Sequence, residues 1–121
     1  MESKADLLSE RFLNFACSVY DLLKELGADN MHKHVLMQLF RSATSVGANY
    51  EEARGAESKQ DFAHKMKIVL KESRESMYWL NFIIRSGINN SNKAQELLNE
   101  NRQICDIIAK SLKTLNANQQ R

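Results

Sequence analysis

Apolar residues recur along the chain at alternating intervals of three and four positions, in four stretches separated by short polar or glycine-containing segments. In the first stretch the recurring positions are Leu8, Phe12, Phe15, Val19, Leu22 and Leu26. Because an α-helix has 3.6 residues per turn, residues with this spacing share one face of a helix. The chain has no proline and only four glycines, so long helices are permitted. The pattern predicts four amphipathic helices, over residues 4–26, 30–54, 59–86 and 92–116.

Residues at the ends of these stretches have the character of helix caps. Gly27 and Gly87 follow the last apolar positions of the first and third helices, where a left-handed residue commonly ends a helix. Ser58, with Asp61 three residues later, predicts the start of the third helix. The polar residues 116–121 lack apolar side chains, so we expect the last helix to fray there.

Helices of this length, joined by turns of only a few residues, pack as antiparallel neighbours. A chain of 121 residues is the size of one domain, and no internal repeat or linker divides it. The predicted fold is therefore all-α, an antiparallel up-and-down four-helix bundle formed by residues 1–121 as a single domain.

Two of the helices carry more apolar residues than one bundle requires. The additional positions on the first helix are Leu13, Ala16, Tyr20 and Leu23. Those on the third are Ile68, Tyr78, Trp79 and Phe82. Surplus apolar surface commonly marks a protein interface, which predicts association with further copies of the chain. The alternative is that these side chains widen the core or cover the helix ends.

Composition excludes several classes of protein. Apolar residues make up 43% of the chain and charged residues 26%, as in soluble globular domains. No apolar stretch approaches the roughly 20 residues that span a bilayer, and the first residues do not form a signal segment. We therefore expect a cytoplasmic protein with no membrane partner. Cys17 and Cys105 have no metal-binding spacing, and we expect both to be small buried side chains.

Charge is distributed unevenly, although the net charge is only +2. Residues 1–30 hold three basic and six acidic residues, whereas residues 58–86 hold six basic and three acidic ones. Basic side chains spaced by four and then three positions share a helix face that can follow a phosphate backbone. The candidate nucleic-acid-binding residues are Lys59, Lys67, Lys71 and Arg74. The alternative is an ordinary solvated face of mixed charge, because Glu75 follows Lys71 by four residues.

No motif indicates catalysis. Four-helix bundles can hold two metal ions through Glu-x-x-His pairs, and this chain has none. The nearest patterns, Asp29 with His32 and Asp61 with His64, begin helices, where an aspartate is explained by capping. There is no glycine-rich phosphate loop and no recognisable nucleophile motif. We expect no enzymatic activity, cofactor, metal ion or small-molecule substrate; a metal-dependent enzyme is the least favoured alternative.

Residues 41–54 and 71–80 carry the most distinctive pattern in the chain. They resemble the signature of four-helix bundle proteins encoded in intervening sequences of bacterial 23S rRNA genes, a family that includes the accessory variability protein of diversity-generating retroelements. The resemblance covers nearly the full chain. Two positions depart from the pattern: Gly47 replaces a common proline, and Ala53 a common glycine. The polar motif positions are Arg41, Ser45, Asn49, Glu52 and Glu75.

The resemblance implies a homopentamer of bundles with no established enzymatic activity. In the retroelement branch it also implies a basic surface that engages nucleic acid and a reverse transcriptase. The motif residues are interpreted as structural, with partner binding as the alternative. Ser45 and Asn49 are expected to hydrogen-bond across a helix contact, and Arg41 to pair with Glu52 or Glu75.

The predicted function is that of a non-enzymatic, self-assembling accessory protein. Its predicted partners are further copies of itself and structured RNA, or a protein already bound to nucleic acid. The alternative is a purely structural protein or a protein–protein adaptor.

Overall fold

The computed structural model describes residues 2–26 and 30–119. Within these ranges the chain forms an all-α four-helix bundle. Each helix packs against the preceding one, and the fourth also contacts the first, which closes the bundle. The helices are α1 (Lys4–Glu25), α2 (Asn30–Arg54), α3 (Lys59–Arg85) and α4 (Asn92–Gln119).

The core is built from one apolar face of each helix. The aromatic ring of Phe12 meets that of Tyr50 edge to face, with the ring centroids 5.0 Å apart, and joins α1 to α2. Complete burial of a large apolar side chain contributes about 1.5–3 kcal/mol, so these faces supply most of the folding free energy. The fully buried large side chains include Phe12, Leu22, Leu39, Val46, Val69, Leu80, Ile83, Ile104 and Ile108.

The caps of α3 agree with those predicted. The Ser58 hydroxyl accepts a hydrogen bond of 3.0 Å from the backbone N–H of Asp61, which confirms the predicted N-cap. Gly87 has a φ of 83°, and its N–H donates to the carbonyl of Ile84 at 3.2 Å. This left-handed residue stops α3 as expected. The turn predicted around Gly27 lies outside the described residues.

The fourth helix extends three residues beyond its predicted end at residue 116, to Gln119. The helix end is thus longer than expected. Fraying is a local opening of this end, which stays a prediction.

The two cysteines occupy different environments. Cys105 is buried, as predicted, whereas Cys17 is exposed, so the prediction for Cys17 is wrong. Cys17 lies two residues from both Phe15 and Val19, which are core positions. Two residues correspond to about 200° around a helix, so Cys17 points away from the core.

Ion pairs connect α1 to both of its neighbours. Arg54 of α2 donates to the Asp6 carboxylate at 2.8 Å, and this hydrogen bond is the main reason why the pKa of Asp6 is lowered. Lys93, near the start of α4, contacts Glu25 at the end of α1, with the two charged atoms 2.9 Å apart. Since these pairs join the start of one helix to the end of the other, the connected helices are antiparallel.

Candidate nucleic-acid interface

Three of the four predicted nucleic-acid-binding residues lie in a row on the exposed face of α3. Lys67, Lys71 and Arg74 are all exposed, and the row, called here the basic row, is about 10 Å long at 1.5 Å per residue. Lys59 is also exposed, at the first residue of α3, but lies about 80° around the helix from Lys67 at 100° per residue. The structure therefore brings three of the candidates together and leaves Lys59 beside them.

Arg41 of α2 forms ion pairs with the two carboxylates that would otherwise neutralise the basic row. One nitrogen of its guanidinium group donates to Glu72 at 3.2 Å, and another donates to Glu75. Glu75 is four residues after Lys71, so the sequence suggested a pair between them; the structure pairs Glu75 with Arg41 instead. Within residues 2–26 and 30–119, the basic row makes no ion pair.

The opposite side of α3 fixes its register against α4 through buried polar groups. The Asn101 side chain donates to the Ser73 carbonyl at 2.9 Å and accepts from the Ser76 hydroxyl at 2.7 Å. The Ser73 hydroxyl and the Cys105 sulfur are 2.9 Å apart. Burial raises the pKa of the Cys105 thiol, which therefore remains protonated. We call Ser73, Ser76, Asn101 and Cys105 the buried polar cluster; sequence analysis did not identify Asn101 as part of it.

The buried polar cluster also locates the α4 side chains beside the basic row. Arg74 and Asp106 both act electrostatically on the Cys105 thiol, so both lie near it. Arg102, one residue after Asn101, is exposed on α4. Of the basic row, Arg74 is thus the residue that lies toward α4, where the Asp106 carboxylate is also near.

In the described part of the bundle, exposed apolar side chains lie on α1 and α2 and also on α3. Leu13 and Tyr20 of α1 and Met37 of α2 are each more than half exposed. Tyr78 and Phe82 lie on α3, beyond the basic row, and are also exposed. A groove of about 380 Å³ runs between α1 and α2, and its apolar lining comprises Tyr20, Leu23, Leu26, Leu36, Met37 and Phe40.

The weak metal-binding pattern at the start of α3 has a structural explanation. The Asp61 carboxylate accepts from Lys65 at 3.2 Å and from the backbone N–H of Glu57 at 3.3 Å. The second such pattern includes Asp29, which lies outside the described residues. In the described part of the chain, no three histidine, cysteine or acidic side chains are grouped closely enough to hold a metal ion. None of the described helices combines the length and apolar character needed to span a membrane.

The sequence profile of the 23S rRNA-intervening sequence proteins matches residues 8–110. The chain belongs to this family. Its fold is similar to a crystal structure of a protein of unknown function from the S23 ribosomal protein family of Bacteroides thetaiotaomicron, with a TM-score of 0.80 and 32% sequence identity. The similarity covers 87% of this chain and 97% of the other. No functionally curated protein matches the sequence.

In this 23S rRNA-intervening sequence protein, two motif residues bond within their own helix. The Ser45 hydroxyl donates to the Arg41 carbonyl at 2.6 Å, and the Asn49 amide donates to the Ser45 carbonyl at 2.8 Å. Within the described bundle neither side chain makes the expected hydrogen bond across a helix contact, since each reaches the carbonyl one turn earlier. Of the two carboxylates expected to pair with Arg41, Glu75 does so, whereas Glu52 is exposed without a side-chain partner in the described ranges.

The two departures from the family pattern leave α2 intact. The helix continues through Gly47 to Arg54, and Ala53 is buried in the core. A side-chain carbon added at Gly47 would lie 3.4 Å from the β-carbon of Phe12 on α1. The glycine thus lies at a close contact between these two helices.

Proposed function

We propose that this protein is a non-enzymatic, self-assembling bundle that binds structured RNA through the basic row of α3. The observation that carries the proposal is that Lys67, Lys71 and Arg74 are exposed and unpaired in the described structure, while Arg41 engages both Glu72 and Glu75. Phosphate groups are the usual partners of such lysine and arginine side chains on nucleic-acid-binding proteins. The basic row then supplies affinity without reading the RNA sequence.

Family membership supports RNA as the nucleic acid. The family is named for intervening sequences of 23S rRNA, and its Bacteroides member is assigned to the S23 ribosomal protein family. Both names connect these proteins with ribosomal RNA or its genes. A ribosomal RNA partner places the protein in the cytoplasm, which is part of the proposal.

The exposed apolar surfaces support self-association. The α1–α2 groove beside Tyr20 and the exposed pair Tyr78 and Phe82 of α3 are different surfaces. A contact between two different surfaces is head-to-tail, and such contacts generate a closed ring when the rotation from one subunit to the next closes, and a filament when it does not. The family resemblance implies five copies. A ring also repeats the basic row once per subunit, which strengthens binding to a long RNA.

The proposal is tested by measuring the solution mass of the purified protein by light scattering, alone and with a structured 23S rRNA fragment at low and moderate salt. We expect a mass near five chains and RNA co-elution that weakens as salt rises. A monomer without RNA association would contradict both parts of the proposal. An oligomer that does not bind RNA would favour the structural or adaptor role.

The basic row is tested by combining Lys67→Glu with Lys71→Glu. Fluorescence anisotropy should show at least about a tenfold loss of affinity, with the salt dependence reduced by about one unit of slope per lost phosphate contact. The matched control for each single substitution is Lys113→Glu, an exposed lysine on α4 that lies outside the basic row and lines neither the groove nor another cavity described for the bundle. If the control weakens RNA binding equally, the affinity arises from overall charge rather than from the basic row.

A further inference from the structure

A cleft opens between α1 and α4 at the end of the bundle where α1 begins. Its volume is about 650 Å³, within the range of pockets that hold small organic molecules. These two helices contact each other least among the four neighbouring pairs, which leaves room for the cleft. Its lining comprises Lys4, Leu8, Arg11, Phe62, Ile107, Lys110, Ser111, Thr114 and Leu115.

The cleft combines three kinds of chemical group. Leu8, Phe62, Ile107 and Leu115 give it apolar walls, and each is only partly buried. Lys4 and Lys110 make no ion pair within the described ranges, so their ammonium groups are available to an anion. Two hydroxyl groups on the same stretch of α4, those of Ser111 and Thr114, likewise have no hydrogen-bond partner there.

A nucleotide matches all three kinds of group at once. Its base can cover the apolar walls that include Phe62, its ring edges can bond the hydroxyls of Ser111 and Thr114, and its phosphate can meet Lys4 and Lys110. Inorganic phosphate would leave the apolar walls uncovered. A fatty acid would cover them but would leave the hydroxyl groups of Ser111 and Thr114 bonded only to water.

The cleft also lies at the same end of the bundle as the beginning of the basic row. Phe62 is one turn after Lys59 and five residues before Lys67 on α3. Phe62 lies about 140° around α3 from Lys67 at 100° per residue, so an RNA strand that reaches both the basic row and the cleft must continue around α3 toward α4. The residues that surround the cleft carry an excess of positive charge, because only Arg11 among its three cations is paired, with Glu100.

We propose that the cleft between α1 and α4 binds a single unpaired nucleotide of the RNA, with the base against Phe62 and the phosphate between Lys4 and Lys110. This inference rests on the proposed function for the identity of the ligand. It adds a preference for RNA with unpaired nucleotides, which the basic row alone does not provide because it contacts only the backbone.

The preference is measured by fluorescence anisotropy with two RNA hairpins that differ only in one bulged nucleotide. The wild type should bind the bulged hairpin at least about fivefold more tightly, as expected for one stacked base. Lys110→Gln and Phe62→Leu should each abolish this difference. The matched control is Lys113→Gln, which removes an exposed lysine on the same helix that does not line the cleft. Equal binding of both hairpins by the wild type would overturn the inference.

A second measurement, which does not require RNA, distinguishes failure of the proposed function from failure of this inference. Methyl NMR of the wild type is recorded with uridine or adenosine 5′-monophosphate, with inorganic phosphate and with octanoate. Saturable shifts of Leu8, Ile107 and Leu115 with a nucleotide support the cleft even if no RNA binds the basic row. Shifts with octanoate alone, or with none of the ligands, would overturn the inference. If Lys67→Glu weakens RNA binding but no nucleotide binds in the cleft, the inference is overturned and only the proposed function remains.

Discussion

The two interfaces formed by α4 use polar side chains in opposite ways. Against α3, Asn101 is fully buried and neutral, and its amide bonds both Ser73 and Ser76. Against α1, Arg11 makes two hydrogen bonds to Glu100, of 2.7 and 2.9 Å, and both side chains remain about one-third exposed. Water can replace a lost partner at the second interface but not at the first.

This difference explains why one interface is closed and the other opens into a cleft. Buried polar groups require a partner in nearly every position, so the α3–α4 contact has one favourable register. An exposed ion pair contributes little free energy and tolerates separation of the helices. The α1–α4 contact is therefore one side of the bundle where the fold leaves room for a ligand, and the α1–α2 groove is another.

The largest effect is expected from Asn101→Ala. The substitution removes a buried amide and leaves a cavity, so the free energy of unfolding should fall by about 2–4 kcal/mol. Urea unfolding measures the change, at one fixed protein concentration because the proposed assembly would also contribute to stability. Asn99→Ala, on the exposed face of the same helix, is the control and should change stability by less than about 0.5 kcal/mol. A loss below 1 kcal/mol for Asn101→Ala would remove the distinction between the two interfaces.

The cysteines provide a probe of the same interface in the native protein. Cys17 is exposed. Cys105 is buried and hydrogen-bonded to Ser73, and the pKa of its thiol is raised. Alkylation by iodoacetamide should modify Cys17 at least about a hundredfold faster, because only the thiolate reacts and Cys105 must first be uncovered. Mass spectrometry of the two cysteine peptides measures both rates. Comparable rates would show that α3 and α4 separate readily.

The smallest effect is expected from Arg11→Ala. Because the pair with Glu100 is partly solvated, the loss should be about 0.5–1 kcal/mol. A double-mutant cycle with Glu100→Gln isolates the coupling between the two side chains. A coupling energy above about 2 kcal/mol would mean that this ion pair stabilises the bundle as strongly as the buried polar cluster does.

Sequence analysis identified the features that depend on neighbours along the chain. The spacing of apolar residues indicated four helices, and Ser58 and Gly87 marked the two ends of α3. Lys67, Lys71 and Arg74 were placed on one face because their spacing follows the helical repeat. The motif in α2 indicated the family, although not the bonds that Ser45 and Asn49 make.

Three features that sequence analysis missed depend on how one helix is rotated and shifted against another. Arg41 could have paired with either of two carboxylates, and Glu72 was not among them. In the sequence, Asn101 resembles an ordinary surface residue of α4, but in the structure the packing of α4 against α3 buries it. The cleft draws side chains from α1, α3 and α4, so no local pattern contains it.

The amino-acid sequence by itself determined the helices, their apolar faces and the basic row, because each arises from periodicity within a few turns of one helix. Only the tertiary structure decided which charges are paired, which polar groups are buried and where the bundle remains open. Those outcomes are set by contacts between residues 25 to 92 positions apart, as in Ser76 with Asn101 and Arg11 with Gln103. Their geometry follows from packing of the whole core rather than from any single segment.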